Sequence, residues 1–359
     1  MDLDAAERAG IRDATRRAAL LDYLDGLGFS LEEMVAAEAQ GRLFALAGDA
    51  VVRSGPPRHS LRDAAAALGT PLADVAHAWS ALGLTVADHD QPALSDADIA
   101  GLRTWVELRR AVGEDVSSAM LRVLGTSMAR LAEAESAAMR GGAPEIQLDY
   151  TADEARTAKA YAEVAQLVPL IGSLMDSVHR QHLQATRTYF EQVVHGASAS
   201  VVVGVGFADL SGFTALTERL SLAELSRVLS TFGSTASEVV HEHGGRLVKL
   251  LGDAVMWVSA DPNRLVEVAL HLVQNPIAAS AGIQVRAGLA YGSALALDGD
   301  YFGSPVNLAA RLVAAADPGQ ILAPRQVTEQ LTGWLCEPLP PVTLRGFEEP
   351  VTPYALRPA

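Results

Sequence analysis

Two acidic residues in the second half of the chain stand where a carboxylate could bind a cation. The first, Asp209, ends the apolar run of FADLSGFT, and Ser211 and Gly212 then open a predicted helix. A carboxylate at the end of a buried strand suits a hard cation such as Mg²⁺. The free backbone N–H groups at a helix start suit a phosphate. This pattern therefore indicates a site for a metal ion and a phosphate group.

The second acid, Asp253, follows Gly252 in RLVKLLGDAVMWVS, a segment that predicts two short strands around a turn. If these strands are the inner strands of a β-α-β-β unit, Asp209 and Asp253 should approach each other. Two adjacent carboxylates repel each other unless a cation lies between them. Two metal ions about 4 Å apart can clamp an in-line displacement at phosphorus. The pair therefore indicates phosphoryl transfer, although a strand-end Asp is more often a turn former or a helix cap.

The segments around these acids alternate between strand and helix patterns. The strand patterns are rich in β-branched residues, and the helix patterns have apolar residues three and four apart. From SVVVGVGFADL to IQVRAGLAYGSALAL the predicted order is β-α-β-β-α-β, the ferredoxin-like plan. Ser221 is expected to cap the first of these helices and Gly244 to end it. ILAP and TPYALRP are expected to add two late strands.

The first half of the chain has helical periodicity and no β-rich segment. We therefore predict an α+β protein, with an all-α domain over 1–195 and a ferredoxin-like domain over 200–359. The boundary should lie near 196–199, in HGASAS. The segment from about 153–194 is expected to be a coupling helix, which Pro169 should kink or split.

The composition excludes several classes of protein. The formal net charge of −15 argues against a nucleic-acid-binding surface and against a polybasic membrane-surface binder. The one cysteine, Cys336, cannot form an intrachain disulfide or build a cysteine-based zinc site alone. The acidic start MDLDAAERAG does not have the pattern of a secretory signal. These features predict a cytoplasmic protein.

Three motifs in order, FADLSGFT, VKLLGDAVM and GDYFGSPVNLAARL, resemble the catalytic domain of the class III nucleotidyl cyclases, the adenylyl and guanylyl cyclases. The resemblance runs from about 200 to 357. It implies that Asp209 and Asp253, with Leu210 beside them, hold two Mg²⁺ or Mn²⁺ ions. It further implies conversion of ATP to 3′,5′-cyclic AMP and pyrophosphate, by attack of the ribose 3′-oxygen on the α-phosphorus.

The same resemblance implies that Lys249 and Asp300 read the purine. The chain contains only two lysines, Lys159 and Lys249. Adenine presents a ring nitrogen that accepts a hydrogen bond and an amine that donates one, which suits an ammonium beside a carboxylate. This pair predicts a preference for ATP over GTP. Without the flanking motifs, Lys249 would read as an exposed strand residue of no consequence.

The resemblance also implies that Asn307 orients the ribose and that Arg311, four residues later on the same helix face, offsets charge on the α-phosphate. The residues implied to contact the β- and γ-phosphates are those of the loop after Asp209 and one later arginine: Ser211, Gly212, Phe213, Thr214 and Arg345.

In the family the site lies between two subunits, and this chain carries both halves of it. The resemblance therefore implies a head-to-tail homodimer with two equivalent sites. Each site would combine the metal-binding acids of one chain with the purine-reading and transition-state residues of the other.

The overall layout resembles the mycobacterial-type cyclases with an N-terminal helical, pH-responsive regulatory domain. SLRDAAAALGTPLADVAHAWSALGL has the rhythm of a helix-turn-helix, but its second helix has no Lys or Arg, so we expect a packing unit. Three histidines are candidate regulators, because imidazole is the side chain whose charge ordinarily changes near physiological pH: His179, His182 and His195. An apolar stripe is expected to be dimer or domain core, or a slot for a lipid tail: Val164, Leu167, Leu170, Ile171, Leu174 and Val178.

Two other functions remain open from the sequence. The chain could be a cyclase-like nucleotide sensor without activity, although all six residues that the family needs are present. It could also be a guanylyl cyclase. A diguanylate cyclase is disfavoured because the turn reads Leu-Gly-Asp-Ala-Val rather than Gly-Gly-Asp/Glu-Glu-Phe.

Overall fold

The computed structural model describes residues 1–193, 200–213, 217–275 and 283–359. It divides the chain into two units, Met1–Gln181 and His182–Ala359. The first unit is built from helices and the second from a sheet with helices, which confirms the α+β prediction. The domain boundary predicted near 196–199 falls outside the described residues.

The first unit contains two separate apolar cores. One is centred on Leu21, Leu24 and Met34, and the other on Val75 and Trp105. The helices, with their bounds, are α1 (Leu3–Ala9), α2 (Ala18–Gly26), α3 (Leu31–Ala39), α4 (Leu46–Val52), α5 (Leu61–Leu68), α6 (Leu72–Ala81), α7 (Asp96–Val112), α8 (Glu114–Gly142), α9 (Leu148–Thr151) and α10 (Glu154–Ala165). Short 3₁₀ helices cover Leu43–Ala45 and Pro144–Ile146.

The predicted helix-Gly-helix segment is formed by α5 and α6, with Gly69 in the left-handed conformation between them. Leu61 of the first helix and Val75 of the second are both buried in the same core. Asp74, at the start of the second helix, accepts a hydrogen bond of 2.9 Å from Arg109. These contacts agree with the predicted packing unit.

The predicted coupling segment is split, as expected at Pro169, into α10 and a further helix, α11 (Val168–Val193). Four members of the predicted apolar stripe on this segment are exposed, with Leu170 at 66%. The domain-core interpretation of these four residues is therefore wrong: Leu167, Leu170, Leu174 and Val178. Among the described helices, none combines the length and apolar character needed to cross a membrane.

The second unit is built around an eight-stranded sheet in the order β2-β3-β1-β4-β6-β8-β7, with β5 paired to β4. The elements that follow α11 are β1 (Ser200–Ser211), α12 (Leu222–Glu242), β2 (Arg246–Leu251), β3 (Ala254–Ser259), α13 (Pro262–Val273), β4 (Gln284–Leu297), β5 (Asp300–Phe302), α14 (Ser304–Ala315), β6 (Ile321–Pro324), α15 (Arg325–Thr328), β7 (Trp334–Pro338) and β8 (Pro353–Pro358). The pairs within β2-β3-β1-β4 are antiparallel, which confirms the ferredoxin-like plan.

Helices cover both faces of the central strands. On one face, Phe232 of α12 and Leu265 of α13 pack into a core with Trp257 of β3. On the other face, Ala309 of α14 packs with Val205 of β1. The sheet is thus packed on both faces, and the pairing of the strands sets the positions of the residues at their ends.

Local sequence features set the ends of these elements. Ser221 caps α12 through a capping box with Glu224, as predicted. The chain leaves this helix through Gly244, whose φ of 70° favours glycine. Gly288 of β4 lets α14 approach the sheet closely, because a Cβ there would lie 2.1 Å from the backbone nitrogen of Val313.

Candidate active site

Strand pairing brings the two predicted metal-binding acids together. Asp209, near the end of β1, is in register with Ala254, the first residue of β3. The preceding residue, Asp253, accepts a hydrogen bond of 3.2 Å at its backbone carbonyl from the N–H of Leu210. Burial raises the pKa of Asp253 above its usual range, and the negative charge of Asp209 adds to the rise. The two carboxylates therefore repel each other electrostatically, as expected of an adjacent pair.

A basic residue that was not predicted, Arg286 of β4, completes this cluster. Its Nε donates to Asp209 Oδ1 at 2.7 Å and its Nη2 donates to Oδ2 at 3.2 Å. Its Nη1 donates to the backbone carbonyls of Ala314 and Ala316, at 3.2 Å each. Arg286 therefore orients the Asp209 carboxylate and ties it to the end of α14.

The acid cluster fits a divalent cation. Among the described residues no group of three His, Cys, Asp or Glu side chains gathers at one point. Mg²⁺, however, is commonly bound through one or two carboxylates, with the remaining ligands from substrate phosphates and water. Ser211 Oγ, in the same loop, is buried and makes no hydrogen bond in the described structure. A buried hydroxyl without a hydrogen-bond partner, next to two carboxylates that repel each other, is expected of a site that binds a cation and a phosphate.

The described part of the loop after Asp209 has the backbone conformation expected of a phosphate-binding loop. Ser211 ends β1, Gly212 has a φ of 76°, and Phe213 has helical backbone. Gly212 and its neighbours thus turn the chain sharply beside the acids. Thr214, the last residue of the predicted cradle, lies outside the described residues.

The second predicted pair, Lys249 and Asp300, forms an ion pair between the Lys249 ammonium and Asp300 Oδ2. The other carboxylate oxygen, Asp300 Oδ1, accepts a hydrogen bond of 2.8 Å from the N–H of Tyr301. The side chains of the pair are 31% and 27% exposed, so both polar groups remain within reach of a ligand. Lys249 is therefore not a free surface residue, and the donor and acceptor predicted to read a purine lie side by side.

The third predicted pair lies on α14. Asn307 and Arg311 are both exposed and one helical turn apart, so they present an amide and a guanidinium on one face. Arg311 Nε donates to the backbone carbonyl of Arg345 at 3.3 Å. The side chain of Arg345 is exposed. This hydrogen bond joins α14 to the loop before β8, and each of the two contributes an exposed arginine.

The candidate regulatory histidines lie around the second half of α11. His179 and His182 are exposed. His195 lies outside the described residues. A histidine that was not predicted, His59, pairs with Asp96 at 2.6 Å in the first unit. His59 could not be found from sequence because its partner is 37 residues away.

Two family models match the chain. Residues 197–358 match the adenylate and guanylate cyclase catalytic domain, and residues 3–186 match the adenylate cyclase regulatory domain. Together the two matches cover both units of the structure and leave a short gap between them.

Three relatives resemble the chain over about two thirds of its length or more. An uncharacterized protein of Mycobacterium tuberculosis is 58% identical over 99% of this chain and 94% of its own. An adenylate cyclase of Streptomyces coelicolor is 32% identical over 80% of this chain and 75% of its own. A pH-sensitive adenylate cyclase of Mycobacterium tuberculosis is 32% identical over 65% of this chain and 58% of its own.

Proposed function

The chain belongs to the class III adenylate and guanylate cyclase family, and we propose that it converts ATP to 3′,5′-cyclic AMP and pyrophosphate. The observation that carries the choice of ATP is the Lys249–Asp300 pair, which presents a compact donor and an acceptor side by side. Adenine offers the complementary acceptor and donor, whereas guanine offers the reverse pattern at the same atoms.

The acid cluster supports the chemical step. Asp209 and Asp253 would hold Mg²⁺ or Mn²⁺, two ions per site, next to the backbone of Leu210. The bound ions would lower the pKa of the ribose 3′-hydroxyl and neutralise charge on the triphosphate. Arg286 keeps the Asp209 carboxylate oriented through two hydrogen bonds. Its positive charge also works against the rise in the pKa of Asp253 that burial and Asp209 cause.

The remaining residues would act on the ribose and the phosphates. Asn307 would orient the ribose so that its 3′-oxygen lies in line with the α-phosphorus. Arg311 would offset the charge that builds up on the α-phosphoryl oxygens. Backbone N–H groups of the loop from Ser211 to Thr214 would bind the β- and γ-phosphates, with Arg345 as a further cationic contact.

We propose that each site is shared across a homodimer. The acids of one chain would face the Lys–Asp pair and the α14 residues of the other, so a monomer would be inactive. Mixing an Asp209→Ala chain with an Arg311→Ala chain should then restore one intact site in each heterodimer. A mixture that forms heterodimers and stays inactive would contradict this shared site.

The decisive experiment for the proposed function uses the full chain with Mn²⁺ or Mg²⁺ and either ATP or GTP, with detection of the cyclic product. Formation of cyclic AMP supports the proposal, and preferential formation of cyclic GMP would make the chain a guanylyl cyclase. Nucleotide binding without product would instead indicate a nucleotide sensor. Lys159→Ala serves as the matched control for Lys249→Ala, because Lys159 is the other lysine and lies exposed on α10.

We further propose that the helical unit regulates the catalytic unit in response to a proton or a small lipid. His179 and His182 are exposed on α11, and a relative of similar layout is named pH-sensitive. Replacing His179, His182 and His195 with Gln should flatten the pH–activity profile of the full chain. A profile that keeps its shape would remove these histidines from the regulation.

A further inference from the structure

The last turns of α11 carry an aromatic pair that packs against the sheet of the second unit. Tyr189 and Phe190 lie against the core formed by Val203, Val205 and their neighbours. Their rings meet edge to face, with centroids 5.9 Å apart. Neither residue belongs to a matched family region, since the matches end at residue 186 and resume at 197.

The ring of Tyr189 contacts a charged residue at the start of β2. The Arg246 guanidinium carbon lies 5.7 Å from the centre of the Tyr189 ring, within the range of a cation–π contact. In the described part of the chain, no carboxylate lies within ion-pair distance of Arg246. In the described residues, the guanidinium of Arg246 therefore contacts the face of an aromatic ring instead of a carboxylate.

The same cluster includes Tyr301. Tyr301 is buried in the core against which Tyr189 packs. Burial raises the pKa of both phenols, and the positive charge of Arg246 works against the rise at both. The two hydroxyls influence each other's pKa, and Tyr189 Oη has no hydrogen-bond partner of good geometry in the described residues. Tyr189 therefore contributes to this cluster through the contacts of its ring rather than through its hydroxyl.

Arg246 and Tyr301 lie on the same backbone segments as the two residues proposed to read the purine. Arg246 begins β2 three residues before Lys249, and the pairing of β2 with β3 shifts register between Leu247 and Lys249. Such a bulge changes the direction of the side chain that follows it. Tyr301 follows Asp300 and donates its N–H to that carboxylate. One aromatic cluster thus contacts both backbone segments on which the Lys–Asp pair depends.

We propose that Tyr189 is a positioning residue for purine recognition, because its ring, packed with Arg246 and Tyr301, fixes the segments that carry Lys249 and Asp300. The inference rests on the proposed function and adds a determinant of its substrate specificity. Tyr189 does not touch the nucleotide; it keeps a donor and an acceptor at the spacing that adenine requires. A displacement of about 1 Å in such a pair is enough to cost a large part of its discrimination.

The test compares three variants of the full chain for kcat and KM with ATP and with GTP. Tyr189→Ala should lower the ratio of kcat/KM for ATP to that for GTP about tenfold, mainly through a higher KM for ATP. Tyr189→Phe keeps the ring and removes a hydroxyl without a partner, so it should retain the wild-type ratio. Phe190→Ala removes a neighbouring aromatic side chain from the same core and serves as the packing control. It should lower Tm without changing the ratio.

The outcomes separate this inference from the proposed function. A folded, dimeric Tyr189→Ala variant that keeps the wild-type ATP-to-GTP ratio would overturn the inference and leave the cyclase proposal intact. Equal losses of the ratio in Tyr189→Ala and Phe190→Ala would overturn it as well, since the effect would then be general loosening of the core. Failure of the wild-type chain to form any cyclic nucleotide would instead overturn the proposed function.

Discussion

Each unit contains a cluster of charged side chains, and the two clusters are built in opposite ways. In the first unit, Arg17 donates to Glu154 at 2.6 Å and 3.0 Å and to Glu38 at 2.9 Å, and Arg12 adds a second cation. In the second unit, two adjacent acids, Asp209 and Asp253, share one arginine. The first cluster balances its own charges, whereas the second has an excess of negative charge.

The pKa directions show what this difference means. Burial by itself would raise the pKa of Glu38, but the hydrogen bonds and charge of Arg17, with Arg12, outweigh it and lower the pKa. Burial also raises the pKa of Asp253, where the charge of Asp209 adds to it and Arg286 offsets it only in part. In a balanced cluster each buried charge has an opposite charge beside it, so removing one partner destabilises the fold. An unbalanced cluster of acids would be stabilised by a cation, which makes it a candidate functional site.

The largest expected effect comes from removing a charge from the unbalanced cluster. Asp209→Asn should lower kcat/KM for ATP by on the order of 10³-fold, because a neutral amide binds a divalent cation more weakly than a carboxylate and cannot offset its charge. Glu154→Gln removes a charge from the balanced cluster and should leave kcat within about twofold. Steady-state kinetics of both full-length variants in Mn²⁺ test the contrast. Similar losses in the two variants would show that the clusters do not differ in function.

The sequence predicted those features of the second unit that depend on residues close together in the chain. The β2–β3 hairpin around Gly252 and the cap at Ser221 follow from neighbouring residues. The approach of Asp209 to Asp253 was predicted because the order of elements placed their strands next to each other. Arg286 was missed because it faces Asp209 only through the register of β1 with β4, across 77 residues.

Two strands and one contact were missed for related reasons. β5 has three residues and β7 contains a proline at its end, so neither has a distinct local pattern. Tyr189 could be recognised only once the end of α11 was seen against Arg246. The sequence thus predicts elements with strong local patterns, whereas contacts between distant elements require the structure.

The Lys249–Asp300 pair differs from both clusters, because its charges balance although it lies in the second unit. Replacing Lys249 with Glu and Asp300 with Cys would present guanine with the acceptor that it needs. The double variant should shift the ATP-to-GTP ratio of kcat/KM toward GTP by about 100-fold. Competition assays with both nucleotides measure the shift. An unchanged ratio in a folded variant would place purine recognition elsewhere in the chain.

The balanced cluster of the first unit should act on stability alone. Glu38 is 7% exposed, so Glu38→Gln would remove the buried carboxylate that pairs with both arginines and leave Arg17 with Glu154 alone. We expect the free energy of unfolding of the first unit to fall by about 2 kcal/mol. The ATP-to-GTP ratio of the variant should equal that of the wild type. Chemical denaturation followed by circular dichroism measures the first quantity, and a change in the ratio would contradict the assignment.

The smallest effects are expected from pH, and they should have opposite signs in the two clusters. The pKa of Glu38 is lowered in the folded state, so its ionised form stabilises the fold above the ordinary pKa of a glutamate. That contribution is lost as the pH falls through the folded-state pKa. The difference in Tm between the wild type and Glu38→Gln should therefore be present near neutral pH and shrink on acidification.

Asp253 should behave in the reverse way, because its pKa is raised in the folded state. The protonated form is favoured by folding, so this contribution is present at low pH and is lost as the pH rises through the folded-state pKa. In EDTA, Asp253→Asn should thus melt at a higher temperature than the wild type near neutral pH and at a similar temperature in acid. Adding Mn²⁺ at neutral pH should raise the Tm of the wild type but not that of the variant, since a cation binds the ionised pair and stabilises the folded state. A wild type that is more stable than Asp253→Asn in EDTA at neutral pH would show that the second cluster, like the first, needs no cation to balance its charges.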